Sequence, residues 1–182
     1  MAQSFVRLIT TRGDIVLALD AERAPLTVQN FLQYVREGYY NNLIFHRVIP
    51  NFMIQGGGFD KNMMKKATRQ AIVNEAKNGL SNVRGSIAMA RTSNINSATS
   101  QFFINVVDNL NLDHSAGNYG YAVFGRVIKG MDVVDAIAAT PTQQRGIYRD
   151  VPREDIIILK AVIEDAASLD AADKSMPQRS KP

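Results

Sequence analysis

"FHRVIPNFMIQGGG", residues 45–58, sets one arginine in a run that otherwise has the composition of sheet core, and closes with three glycines. Phe45, Val48, Ile49, Phe52, Met53 and Ile54 are large and apolar, suited to a pleated, half-buried surface. A fully solvated guanidinium needs no such company. One held at the rim of an apolar pocket, with the amide of Gln55 just beyond, is placed to meet a substrate. The triple glycine reads as a tight bend or a close backbone approach after a strand. It is no phosphate cradle: no Lys-Ser/Thr pair follows in P-loop register, and no G-x-G-x-x-G joins a strand to a helix.

Outward from this run, short segments rich in Val, Ile, Leu and Phe recur between Gly, Asn and Asp turns. SFVRLIT and DIVLALD flank a TRG hairpin turn, with Ile15, Leu17 and Leu19 on one face of the second strand. LIFHRVI, FMIQGG, SIAMAR, QFFINVV, AVFGRVI and DIIILKAVI complete the strand set. Two segments break the rhythm. Val28, Phe31, Leu32 and Val35 recur at helical spacing between Pro25 and Gly38, and Val134, Ile137 and Ala138 do so before Pro141. Strands that do not alternate with helices argue against a doubly wound sheet. They favour a mainly β fold: a closed, antiparallel barrel capped by two α-helices.

The chain has 182 residues, enough for one domain over residues 1–163. The remainder, 164–182, is small, charged and proline-containing, and reads as a flexible C-terminal tail. The net charge of +4 is mild. The basic cluster Lys61, Lys65, Lys66 and Arg69 lacks interleaved aromatics, so it reads as a solvated loop and no nucleic-acid partner is expected. No apolar stretch is long enough for a membrane span or a signal core, and no membrane partner is expected. The absence of cysteine fits a reducing compartment, and a cytoplasmic location is expected. With two histidines, His46 and His114, and no thiolate, no metal site is expected. A G-x-S-x-G nucleophile elbow is missing too. What remains is a basic residue, amide donors and an apolar pocket.

At this point the blocks FHRVIPNFMIQGGGF, GSIAMAR, SQFFINV and YAVFGRVIKGMDVVDAI resemble cyclophilin-type peptidyl-prolyl cis–trans isomerases, bacterial ones above all. The likeness runs from about residue 5 to 163 in several ordered blocks. It implies an eight-stranded antiparallel barrel closed by two helices, and an enzyme that assists folding by turning X-Pro bonds without any cofactor. By the same resemblance Arg47 and Gln55 are the catalytic arginine and orienting amide. Phe52, Met53, Phe103 and Leu112 would receive the proline ring. Ala90 and Arg91 would pair with the substrate backbone beside Gln101, and His46, Asn111 and Tyr121 would complete the binding surface. Asn111 and Tyr121 stand where tryptophan and histidine are common, so cyclosporin is expected to bind only weakly.

The chemistry suits such a site. An amide resists rotation with a barrier of about 18–20 kcal/mol. In the twisted state the prolyl nitrogen gains a lone pair, and a donor aimed at it binds that state more tightly than either planar isomer. On the residues alone, Arg47 is equally compatible with a structural ion pair, and Phe52, Met53 and Phe103 with ordinary core. Two functional readings stand: an isomerase acting as a monomer on proline-containing peptides and unfolded or flexible chains, or a proline-peptide binding module or holdase with little turnover.

Overall fold

The computed structural model describes residues 3–167 and 169. In chain order the elements are β1 (Ser4–Thr10), β2 (Gly13–Leu19), α1 (Pro25–Arg36), β3 (Leu43–Ile49), β4 (Met53–Asp60), β5 (Ser86–Met89), β6 (Phe102–Asn105) and β7 (Val123–Lys129). Then come α2 (Met131–Ala138), β8 (Thr142–Arg145), β9 (Tyr148–Pro152) and β10 (Ile157–Glu164). Eight strands close into an antiparallel barrel in the order β1-β10-β3-β4-β6-β5-β7-β2. This is the barrel with two helices expected from the sequence. The β8–β9 hairpin stands outside it and packs on β3.

Period-two alternation fills the barrel. Leu8, Leu17, Phe45, Ile54, Phe102 and Phe124 belong to one buried cluster, joined by Val28 and Phe31 of α1 and by Val134 and Ile137 of α2. Phe31 sets its ring 5.1 Å from Phe124 and edge-on to Phe102 at 5.7 Å. Pro25 starts α1, and the distant Glu75 caps it: its Oε1 accepts from the Thr27 N–H and hydroxyl, both at 2.6 Å. An interior packed this way leaves no lumen for a ligand. Any site must lie on the outside of the wall.

One irregularity decides where that site falls. Phe45 pairs with Gly56 and Arg47 with Gln55, so β3 carries one extra residue, His46, against β4. Strict alternation would turn Arg47 to the same side as Phe45. The bulge resets the phase, so Phe45 and Val48 both face the core at 0% exposure while neither His46 nor Arg47 joins it. Across the pair, Gly56 has no room for a side chain, since a Cβ there would sit 2.8 Å from the Ile44 carbonyl oxygen. Close backbone approach is thus what Gly56 provides, whereas Gly57 and Gly58 make room for the side chains of Phe102, Tyr40 and Gln101.

β10 ends at Glu164, next to the expected domain boundary, and Leu169 beyond it is buried. Residue 168 and residues 170–182 of the expected tail lie outside the described residues. Among the described residues no helix is long and apolar enough to cross a membrane.

Candidate active site

Side chains alternate outward as well as inward, and the outward set on β4, β5, β6 and β7 builds a second, smaller cluster. Met53, Ala88, Phe103 and Val123 form it, with Phe52, Ala90, Leu112 and Tyr121 packed half-buried against it. This cluster floors a pocket of about 130 Å³, room for one small ring or roughly four waters. Phe52, Met53, Ala90, Phe103, Leu112 and Tyr121 supply its apolar walls, and Arg47, Gln55 and Arg91 its polar edge. Phe103 and Tyr121 meet edge to face at 5.6 Å. A larger groove of about 680 Å³ runs over Leu19, Val83 and Arg126, but no aromatic residue lines it and none of the expected site residues does.

The polar edge is built in steps. Gly58 lacks the side chain that would collide with Gln101, at 2.6 Å from a Cβ, so Gln101 lies against the β4 backbone. Its Oε1 accepts from Gln55 Nε2 at 3.0 Å, which leaves Gln55 Oε1 facing Arg47. Arg47 Nη1 donates to that oxygen over a long 3.4 Å. Among the described residues no carboxylate pairs with Arg47. The guanidinium is exposed, oriented by one weak contact, and keeps most of its donors for something else.

Arg91, at the same pocket, is held more firmly. Its Nε and Nη2 both donate to the Gly120 carbonyl at 3.1 Å, its Nη1 donates to the Thr92 carbonyl at 2.9 Å, and its plane lies 4.6 Å from the Tyr121 ring centre.

The structure brings nine of the twelve expected residues to this pocket. Gln101 acts behind it, through Gln55. Asn111 is exposed and accepts from Asn118 Nδ2 through its carbonyl at 3.0 Å. His46 is not at the pocket. The bulge places it on the outside of β3 at 6% exposure, 4.5 Å from the Phe59 ring, which in turn lies 5.0 Å from Tyr148 of β9. Of the basic cluster, Lys66 donates to the Tyr39 carbonyl at 2.9 Å and Arg69 pairs with Glu37.

A polar network absent from the sequence reading holds the pocket wall. Asn109 Nδ2 donates to the Phe52 carbonyl at 2.9 Å and to Asn105 Oδ1 at 2.8 Å, and Asn105 Nδ2 reaches Asn82 and Ser86. Asp113, next to Leu112, accepts from the Asn82 N–H at 2.7 Å, from Asn82 Nδ2 at 3.0 Å and from the Ser81 hydroxyl. Burial raises the Asp113 carboxyl, but these hydrogen bonds outweigh it and hold the group below the usual carboxylate range. Asp113→Ala leaves three donors without their acceptor. It is expected to cost about 1–3 kcal/mol in urea denaturation and to weaken peptide binding through KM more than through kcat.

A closed barrel whose outer wall bears a small apolar pocket, edged by a guanidinium with no carboxylate partner among the described residues and by an amide, is the architecture of a peptide-binding β-barrel enzyme class. Residues 5–163 match the family described as cyclophilin type peptidyl-prolyl cis-trans isomerase/CLD. The chain is 56% identical over 158 residues to peptidyl-prolyl cis-trans isomerase A of Dickeya dadantii, covering 87% of this chain and 83% of that one. It is 55% identical over 159 residues to peptidyl-prolyl cis-trans isomerase B of Escherichia coli, covering 86% and 97%. Among solved structures, a cyclophilin type isomerase of Cryptosporidium parvum, crystallised in the presence of the dipeptide Ala-Pro, superposes with a TM-score of 0.77 at 31% identity, over 88% of this chain and 99% of that one. The chain belongs to the cyclophilin-type peptidyl-prolyl cis–trans isomerase family.

Proposed function

We propose that this protein accelerates rotation about X-Pro bonds in peptides and in unfolded or flexible chains, with Arg47 as the transition-state donor. The carrying observation is the geometry at position 47: a guanidinium held toward Gln55 at the edge of the pocket, with no carboxylate partner among the described residues. The proline ring packs on Phe52, Met53, Phe103 and Leu112, a contact worth on the order of 1.5–3 kcal/mol by analogy with aliphatic side chains. The acyl part then turns while the ring stays fixed. As conjugation breaks, an Arg47 N–H meets the prolyl lone pair, a contact available in neither planar isomer. Arginine suits this role because it stays protonated and its fork serves two partners at once.

Nothing is cleaved or transferred, so the reaction asks for no nucleophile and no cofactor. A cytoplasmic location and monomeric action are part of the proposal. Weak cyclosporin binding fits too, since Asn111 offers an exposed amide where the family often has an indole.

The direct test is cis–trans exchange of an Ala-Pro peptide, followed by NMR with catalytic amounts of protein. Uncatalysed exchange takes tens to hundreds of seconds. Acceleration proportional to protein concentration supports the isomerase, whereas binding with an unaltered exchange rate supports the binding module.

A further inference from the structure

Two guanidiniums edge one pocket, and the reaction needs one. Rotation about an amide creates a lone pair but no net charge, so a donor at Arg47 satisfies its electrostatic demand. Arg91 is the surplus. Among the described residues no carboxylate neutralises its charge: the Gly120 and Thr92 carbonyls that accept from it are neutral, and Tyr121 offers only a ring face. No acidic side chain among the described residues lines the pocket. Of the five N–H groups of Arg91, three are engaged by these carbonyls, and among the described residues the other two have no partner, on a guanidinium whose orientation is already set. A cation anchored by backbone and stacked on an aromatic face is prepared to receive a permanent anion, with little side-chain freedom left to lose.

We infer that Arg91 selects substrates, favouring X-Pro segments that carry a carboxylate side chain, glutamate or aspartate, adjacent to the proline. The inference rests on the isomerase reading above and names the substrate class of that same site. Recognition follows from geometry. The Arg91–Tyr121–Phe103 stack ties the cation to the pocket wall, so a ring seated on Phe103 brings its neighbouring residues within reach of the guanidinium. The apolar slot reads the ring, and Arg91 reads what stands beside it.

The experiment compares peptides of the form Ala-X-Pro-Z-Ala in which X or Z is Glu or its neutral isostere Gln. Exchange rates give kcat/KM, and chemical-shift titration gives Kd. For wild type the Glu-to-Gln ratio is expected to reach about fivefold at one of the two positions, the upper range for a solvent-accessible ion pair. That preference should shrink as salt is raised. It should fall to near unity in Arg91→Gln, whatever that change does to the absolute rates, and persist in Arg91→Lys. A Glu-to-Gln ratio near unity at both positions in wild type overturns the inference, as does a preference that survives in Arg91→Gln and so belongs to Arg47. The isomerase reading fails differently, through lack of acceleration for every peptide, and the Kd ratio still reports on Arg91 in that case.

Discussion

Arg47→Ala is expected to reduce kcat/KM for exchange of an Ala-Pro peptide by roughly 10²–10³-fold, the loss seen when a preorganised donor to a transition state is deleted. The fold should survive. Arg47 is exposed, its one contact to Gln55 is long at 3.4 Å, and no ion pair among the described residues depends on it. Surface changes of that kind ordinarily shift stability by no more than about 0.5 kcal/mol. Circular dichroism and urea denaturation would establish this alongside the kinetics. Peptide affinity should fall far less than rate, because the apolar walls that hold the ring are untouched. That split separates the isomerase from a proline-binding module, in which affinity and function would fall together. Arg47→Lys should restore only part of the rate, since a point charge on a flexible stem lacks the planar fork. A folded Arg47→Ala protein with undiminished exchange would remove the arginine from the mechanism.

That prediction depends on a feature the sequence did not make legible. The barrel was readable because its strands are short apolar segments between turn residues, and α1 because its stripe repeats at helical spacing. The same alternation, applied to residues 45–48, points Arg47 inward beside Phe45. The single extra residue of the β3–β4 bulge turns it out, and a one-residue slip leaves no mark in composition. QFFINV shows the opposite case. Its two phenylalanines look like one core pair, yet Phe102 packs inside the barrel and Phe103 floors the pocket outside. The walls expected from the family resemblance come together, but the resemblance also put His46 and Asn111 at the binding surface, and the pocket is lined by neither. The β8–β9 hairpin is not legible in the sequence because TQQR and YRDVP are mostly polar and carry no clean alternation. The network of Asn82, Asn105, Asn109 and Asp113 is scattered over some thirty positions and acquires a role only when the barrel brings these residues together.

His46 supplies the second large effect, on stability rather than rate. Its ring is buried against Phe59, and its Nδ1 finds no hydrogen-bond partner among the described residues. Burial, reinforced by the neighbouring positive charge of Arg47, lowers its pKa from 6.5 to about 4. In the unfolded chain the imidazole takes up its proton near pH 6.5; in the fold it resists until about pH 4. Between those values the unfolded state binds more protons, so stability must fall as pH falls through that window, and the loss is complete once the folded state also protonates. The depression corresponds to about 3 kcal/mol at the acid end, and to only about 0.2 kcal/mol at pH 7. Asp113 acts elsewhere: its lowered pKa makes its stabilising contribution disappear only below the ordinary carboxylate range. His46→Gln removes the titration. Urea denaturation of wild type and variant at steps from pH 7 to pH 4.5 should therefore show the gap between them moving in favour of the variant as pH drops, even if the variant starts out weaker. Parallel curves would mean that the imidazole reaches water or a partner and that the site beneath the hairpin is open. The location of this histidine gives the prediction a functional edge. A charged imidazole beside Arg47 would place a second cation on the bulge that aims the guanidinium, so keeping His46 neutral keeps that aim intact. Arg47→Ala removes the neighbouring charge and should raise the pKa of His46, narrowing the window in which acid destabilises the fold.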